Sequence, residues 1–287
     1  MKTYMNTAVS ALALALVAGA AYATPVTPVQ PTTTSLNSTV TQEGSNQTAT
    51  VVQSATTGSS TVNQSGAKNI ADVNQKAGSE GASSVVFQSG SLQTGRTGRL
   101  RNNEAYVTQV TDATSYVNQR GSEGKVTINQ NGGSVGATSV VIQDVTWVSQ
   151  QSTIEVTQSG KNAISNIGSK GTNESSAADD VAGQSGSDNF IKLIQSAEDA
   201  DSTITQSDTN NYIAVNQSGF SAKSEIIQGG TNNDLFLTQS GSDNYSYISQ
   251  SGNDGRVDVY QAANNAWSSV TQSGTLNVAT VTQGVRP

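Results

Sequence analysis

In the C-terminal third of the chain one residue type falls on a fixed grid. Gln184, Gln195, Gln206, Gln217, Gln228, Gln239, Gln250, Gln261, Gln272 and Gln283 each stand eleven residues after the one before. A period of eleven fits a slightly overwound helix in a right-handed coiled coil. The residues between the glutamines exclude that reading. Asn211-Tyr-Ile213-Ala-Val215-Asn-Gln217 and Asn233-Asp-Leu235-Phe-Leu237-Thr-Gln239 repeat their apolar members every second residue, which is strand periodicity. Ser-Gly follows in Gln217-Ser-Gly219 and Gln239-Ser-Gly241, which is turn chemistry. Each eleven-residue unit is one short strand and one turn.

The units come in two kinds. Four positions before Gln206, Gln228, Gln250 and Gln272 stand Ser202, Ser224, Ser246 and Ser268, whereas Ile191, Ile213, Leu235, Val257 and Ala279 precede the alternate glutamines. The alternate units open on Asn189, Asn211, Asn233, Gly255 and Asn277. The repeat is therefore about 22 residues, two unlike strands, and a unit of that size must stack on its neighbours to bury its inner face. The same grid runs through Gln42, Gln53, Gln64 and Gln75, with Asn69 in the asparagine place. It then loosens to Gln88, Gln109, Gln119, Gln130, Gln143 and Gln158. Inserts of this kind map to turns at the edge of a stack.

Alternation assigns the faces. Asn211, Ile213, Val215 and Gln217 point one way, and Tyr212, Ala214 and Asn216 the other. The first set is the uniform one and is expected inside. Buried amides are costly unless paired. Stacked about 4.8 Å apart, identical glutamines pair with one another, as in a cross-β ladder. Glutamate in that place would stack like charges, and leucine would break the ladder. The expected fold is all-β: a β-solenoid of about ten 22-residue coils, two short strands each, roughly 50 Å long. The last unit, Asn277-Val-Ala279-Thr-Val281-Thr-Gln283, matches the repeat well, so its edge is expected to be open to further stacking.

Residues 1–23 read as a secretion signal, with Lys2, an apolar run from Ala8 to Ala21, and the small-x-small site Ala21-Tyr22-Ala23. The run is shorter than the ~20 residues of a spanning helix, so no transmembrane segment is expected in the mature chain. Residues 24–35 (TPVTPVQPTTTS) read as an extended leader. Residues 36–158 hold the irregular repeats, with a loop at 89–102 carrying Arg96, Arg99 and Arg101, and residues 184–287 hold the regular ones. Between them, 159–183 loses register and reads either as a bulging loop or as a seam between two stacks. All four prolines lie outside the repeats, as continuous strand pairing requires.

Charged residues are 12% of the chain and the net charge is −7, which excludes a basic nucleic-acid surface. The chain has no histidine and no cysteine. His-based triads, thiol nucleophiles and His-ligated metals are thereby excluded, and no catalytic residue, metal or cofactor is expected. The only close acidic group, Asp179-Asp180 with Asp199 and Asp201, reads as a solvated loop. Scattered outward charges (Lys76, Arg120, Glu155, Lys192, Lys223 and Glu225) are expected to give solubility, and gatekeeping against early assembly is the sharper reading.

The pattern resembles the curlin repeat of curli fibre subunits, Gln-x-Gly-x-x-Asn-x-Ala-x-x-x-Gln. Gln64-Ser-Gly66-Ala-Lys-Asn69-Ile-Ala71-Asp-Val-Asn-Gln75 and Gln272-Ser-Gly274-Thr-Leu-Asn277-Val-Ala279-Thr-Val-Thr-Gln283 match it in every fixed place. The resemblance implies a secreted subunit of extracellular amyloid fibres in a biofilm matrix, exported through an outer-membrane pore and nucleated by a minor subunit. The regular back half favours the fibre-building role over the nucleator. The competing reading is a monomeric secreted solenoid adhesin.

Overall fold

The computed structural model describes residues 12–17, 35–55, 57–90, 103–121, 123–145, 152–169 and 181–284. Every regular element among them is a β-strand, and successive strands alternate between two sheets. The first sheet stacks Thr48–Gln53, Ile70–Gln75, Glu104–Gln109, Gly124–Gln130 and Ser152–Gln158, then Phe190–Gln195, Tyr212–Gln217, Asp234–Gln239, Arg256–Gln261 and Val278–Gln283. The second stacks Ser35–Ser45, Thr57–Ala67, Ala82–Gly90, Thr114–Gly121 and Thr138–Val145, then Ile164–Ser169, Asp201–Gln206, Lys223–Gln228, Tyr245–Gln250 and Trp267–Gln272. Neighbours in these runs are parallel, and like residues face like: Ile213 pairs with Leu235 and Gln217 with Gln239. The molecule is a β-solenoid of about ten coils.

The period-two pattern produces this arrangement directly. In Tyr212–Gln217 the residues Ile213, Val215 and Gln217 are buried while Tyr212, Ala214 and Asn216 face outward. Each coil places two apolar side chains from the first sheet against one from the second, such as Ile191 and Leu193 against Ile204. The core is thin but unbroken from Val40 to Val270. Full burial of each Ile, Leu or Val stabilises the stack by about 1.5–3 kcal/mol.

The corners need backbone that most residues avoid. After the second-sheet glutamines the turn visits the left-handed region twice, as at Gly230 (φ +90°) and Asn232 (φ +59°). A Cβ on Gly230 would lie 1.9 Å from the carbonyl oxygen of Gly252 one coil on, so close stacking itself demands glycine there. The second site takes Asp188, Asn210, Asn232 and Asp254, side chains that tolerate this conformation. Leu276 takes it in the last coil at φ +57° and is 76% exposed.

Gln184, out of phase by sequence, is in phase in space. Ile164 to Ile167 pair with Thr138 to Val141, and Gln184 pairs with Gln143. The slot between belongs to Gly183, whose N–H donates to Ile142 O (2.9 Å) and whose carbonyl accepts from Gln206 N (2.6 Å). Gly168 and Ser169 leave the stack antiparallel to Val181 and Ala182. The segment is thus an excursion inserted into one strand, and no seam divides the stack. Almost all of the Pro/Thr leader, most of loop 89–102, and Asp179-Asp180 lie outside the described residues. Inside the expected secretion signal, Leu12–Val17 forms a strand antiparallel to Thr48–Gln53, covering the edge of the first sheet.

Deleting residues 168–182 joins Ile167 to Gly183 and restores an uninterrupted strand. The deletion should leave the β-sheet circular dichroism intact and shift the thermal midpoint by no more than a few degrees. Loss of the cooperative transition would contradict the continuous stack.

Candidate self-assembly site

Two rows of glutamine run the length of the solenoid, one per sheet. In the first, Gln53, Gln75, Gln109, Gln130, Gln158, Gln195, Gln217, Gln239, Gln261 and Gln283 are each joined to the next by Nε2–H donating to Oε1 at 2.8–3.0 Å. In the second, Gln42, Gln64, Gln88, Gln119, Gln143, Gln184, Gln206, Gln228, Gln250 and Gln272 are joined likewise at 2.7–3.0 Å. Neither row has a gap, although consecutive rungs lie between 21 and 41 residues apart in sequence. The second amide proton ties the coil shut: Gln217 Nε2 also donates to Asp201 O (3.0 Å) on the opposite sheet and to Ala222 O (3.2 Å) past the turn. Along the inner rungs each buried amide both donates and accepts, the condition under which buried amides stabilise.

The asparagines hold the corners. Asn211 Nδ2 donates to Ser207 O within its own turn and to Gly230 O one coil on, while Asn211 Oδ1 accepts from Asn233 N–H (2.9 Å). Asn189 and Asn233 repeat this geometry. Asn69 donates to Ser65 O, and Asn103 takes the same role toward Gly121 O and Gly124 N–H without standing on the eleven-residue grid. Asn277 bonds only Ser273 O and is half-buried, because no coil follows it among the described residues. Ser202 meets Ser224 (2.8 Å) and Ser246 meets Ser268 (2.9 Å). Ser84, Ser115, Ser139 and Ser165 continue that column in register. The signal for them was present, a serine four before Gln88, Gln119 and Gln143, but the loosened spacing hid it.

The ladders have direction. Among the described residues, the N-terminal rung Gln42 is buried and its Oε1 accepts no hydrogen bond. At the other end, Gln272 Nε2 donates only to Arg256 O and Gln283 Nε2 only to Trp267 O. Among the described residues, then, the first rung of the second-sheet row holds an unpaired acceptor, and the last rung of each row keeps an amide proton with no further rung. The C-terminal coil is also where apolar surface is least covered: Trp267, Leu276 and Val278 are 63%, 76% and 72% exposed. Residues 262–284 carry no charge, and Glu43 is the only charged residue in 35–55. On inner coils four pairs of outward opposite charges face each other across the stack: Glu104 faces Lys125, Glu155 faces Lys192, Asp201 faces Lys223 and Asp234 faces Arg256.

Asp199 turns a corner at φ +56°, its N–H donating to Lys161 O. Burial raises the carboxyls of Asp72, Asp188 and Asp201, in the last case against the pull of Lys223. A carboxyl raised by folding penalises the fold while ionised. The penalty is full well above the folded pKa and disappears below the unfolded one.

This arrangement defines a repeat protein of the parallel β-solenoid class, stabilised by amide ladders. A family model, the curlin associated repeat, matches residues 230–262, which span the rungs Gln239, Gln250 and Gln261. The chain thus carries a curlin associated repeat in that stretch, and this repeat and the fold fit a curli-type structural subunit. No curated protein sequence matches it.

Gln217→Leu leaves one Gln195 Nε2 proton and Gln239 Oε1 without their rung partner, each orphaned group costing about 1–3 kcal/mol. Chemical denaturation should show that loss, whereas Asn216→Leu on the exposed face should be nearly neutral. Acidification from pH 7 toward pH 4 should raise the thermal midpoint, and Asp201→Asn should flatten that rise.

Proposed function

We propose that the mature chain, freed of residues 1–23, is a secreted fibre subunit whose copies stack end to end, continuing both glutamine ladders from one molecule into the next. The observation that carries this reading is the complementarity of the two ends. Among the described residues, the Gln272 amide that ends the second-sheet row has a proton with no further rung, and Gln42 Oε1 at the start of that row accepts none. Gln283 ends the row that Gln53 begins, and residues 262–284 carry no charge to set against Glu43. Such a contact is head-to-tail and does not close, so it generates a filament. Loss of residues 1–23 would also remove the antiparallel strand over Thr48–Gln53 and bare that edge. The product is a cross-β fibre of the curli kind, serving an extracellular matrix, surface adhesion and cell aggregation. The resemblance adds a minor nucleating subunit and an outer-membrane export pore as partners, and makes this chain the fibre builder. Because outward charges are sparse on the end coils, with Glu43 alone in 35–55 and none in 262–284, they oppose side-by-side contacts of the inner coils and leave stacking free.

Purified residues 24–287 should show a thioflavin T lag that preformed seeds abolish, with thin unbranched fibres at the plateau. Val278→Lys with Thr280→Lys, both outward on the uncovered last strand, should stop elongation while leaving the monomer's thermal midpoint within a few degrees. A wild-type protein that stays monomeric with β-sheet circular dichroism would establish the adhesin instead.

A further inference from the structure

The two ends of the first sheet differ. Among the described residues no strand lies over the outer edge of Val278–Gln283, and Ala279 and Val281 there are only partly buried. At the other end Ala49 and Val51 are 1% and 2% exposed, although they belong to the first coil. Leu12–Val17 runs across that edge, antiparallel where the rest of the sheet is parallel.

The sequence of this strand suits the place. Residues 12–17 read Leu-Ala-Leu-Ala-Leu-Val. The register sets Leu12, Leu14 and Leu16 opposite Gln53, Val51 and Ala49, the buried set, and Ala13 and Ala15 opposite the outward Val52 and Thr50. A secretion signal needs an apolar run but no alternation, whereas a period of two is what a strand needs. Thr48 N–H donates into the stack, to Asn69 O (2.8 Å). By alternation along the strand, the N–H groups of Ala49, Val51 and Gln53 therefore point at the outer edge, where a further coil would pair. Leu12–Val17 takes that edge and offers no rung to the ladder, since Leu12 stands opposite Gln53. Both sheets belong to one coil, so a strand across one edge keeps an incoming coil off both. Residues 18–34 tether this strand to Ser35–Ser45, and a short tether gives an effective concentration on the order of millimolar. Cleavage after Ala23 cuts the tether and leaves a dilute peptide.

We propose that in the uncleaved chain Leu12–Val17 is an intramolecular cap that keeps the N-terminal edge out of fibre growth until residues 1–23 are removed. The inference rests on end-to-end stacking and adds its regulation. It also has a direction. The C-terminal edge of the precursor stays open, so a precursor docks on the fibre end that shows Ser35–Ser45 and Thr48–Gln53, and puts a covered edge in its place. It terminates that end alone.

Backbone hydrogen exchange on freshly diluted monomers reads the cap without any fibre. The amides of Ala49, Val51 and Gln53 should exchange roughly a hundredfold more slowly in residues 1–287 than in residues 24–287. Labelled seeds extended with a second dye read the direction. Residues 1–287 alone should extend seeds at least about tenfold more slowly than residues 24–287, and a small molar fraction of them mixed with residues 24–287 should stop one fibre end and leave the other growing. Leu14→Pro in residues 1–287 should abolish both the protection and the block, because proline removes a ladder donor, while Leu14→Ile should keep them. Equal exchange of the three amides in the two monomers would overturn the proposal. So would precursor that extends seeds as fast as the mature chain, precursor that slows both ends alike, or a block that survives Leu14→Pro. If residues 24–287 form no fibre, end-to-end stacking fails, and the exchange comparison still decides the cap.

Discussion

The structure depends on one interaction, the hydrogen bond from a glutamine Nε2–H to the Oε1 of the glutamine one coil away. A chain with 34% hydrophobic residues and no cysteine lacks both a thick core and disulfide staples. Its two sheets are close enough that three apolar side chains fill each coil. Beyond them, at the ends of the coil, a side chain must be long enough to reach inward and polar enough to bond above, below and to the nearby backbone. Glutamine alone has that reach with both a donor and an acceptor. Leucine would have the reach without the bonds, and glutamate would repel its own copies.

The corners follow from the same constraint. Coils stacked this closely leave no room for a Cβ at Gly230 or Gly252, and the chain reverses through a second left-handed residue that Asn or Asp supplies. The buried asparagines Asn189, Asn211 and Asn233, ahead of three first-sheet strands, then bond their own turn and the next coil's turn together. Ladder, corner and core thus repeat as one unit, and the unit has a direction because every amide along a row donates the same way.

Most of this was legible in the sequence because it is periodic. The spacing of Gln206, Gln217 and Gln228 gave the coil, the alternation around Ile213 and Val215 gave the faces, and Ser202 against Ile191 separated the two sheets. What escaped was whatever interrupts the count. Gln184 reads out of phase only because fifteen residues, 168–182, are spliced between Ile167 and Gly183, and hydrogen bonding restores a register that counting cannot. Asn103 and the serines from Ser84 to Ser165 were hidden for the same reason. The pairing of opposite charges across coils, and the stacking of Phe190 on Tyr212, depend on which outward residues become neighbours, and that follows from the stack and not from the linear order.

The direction of the ladders gives the account its sharpest consequence. In a single chain the amide of an inner rung such as Gln217 is enclosed, while those of Gln272 and Gln283 have no further rung. Side-chain amide hydrogen exchange, read by NMR on the monomer and on fibres dissolved after labelling, compares the two directly. If the ladders continue between molecules, Gln217 is protected in both states, and Gln272 and Gln283 become as protected as Gln217 only in the fibre. Terminal amides that exchange in the fibre as freely as in the monomer, or an unprotected Gln217, would contradict the central claim.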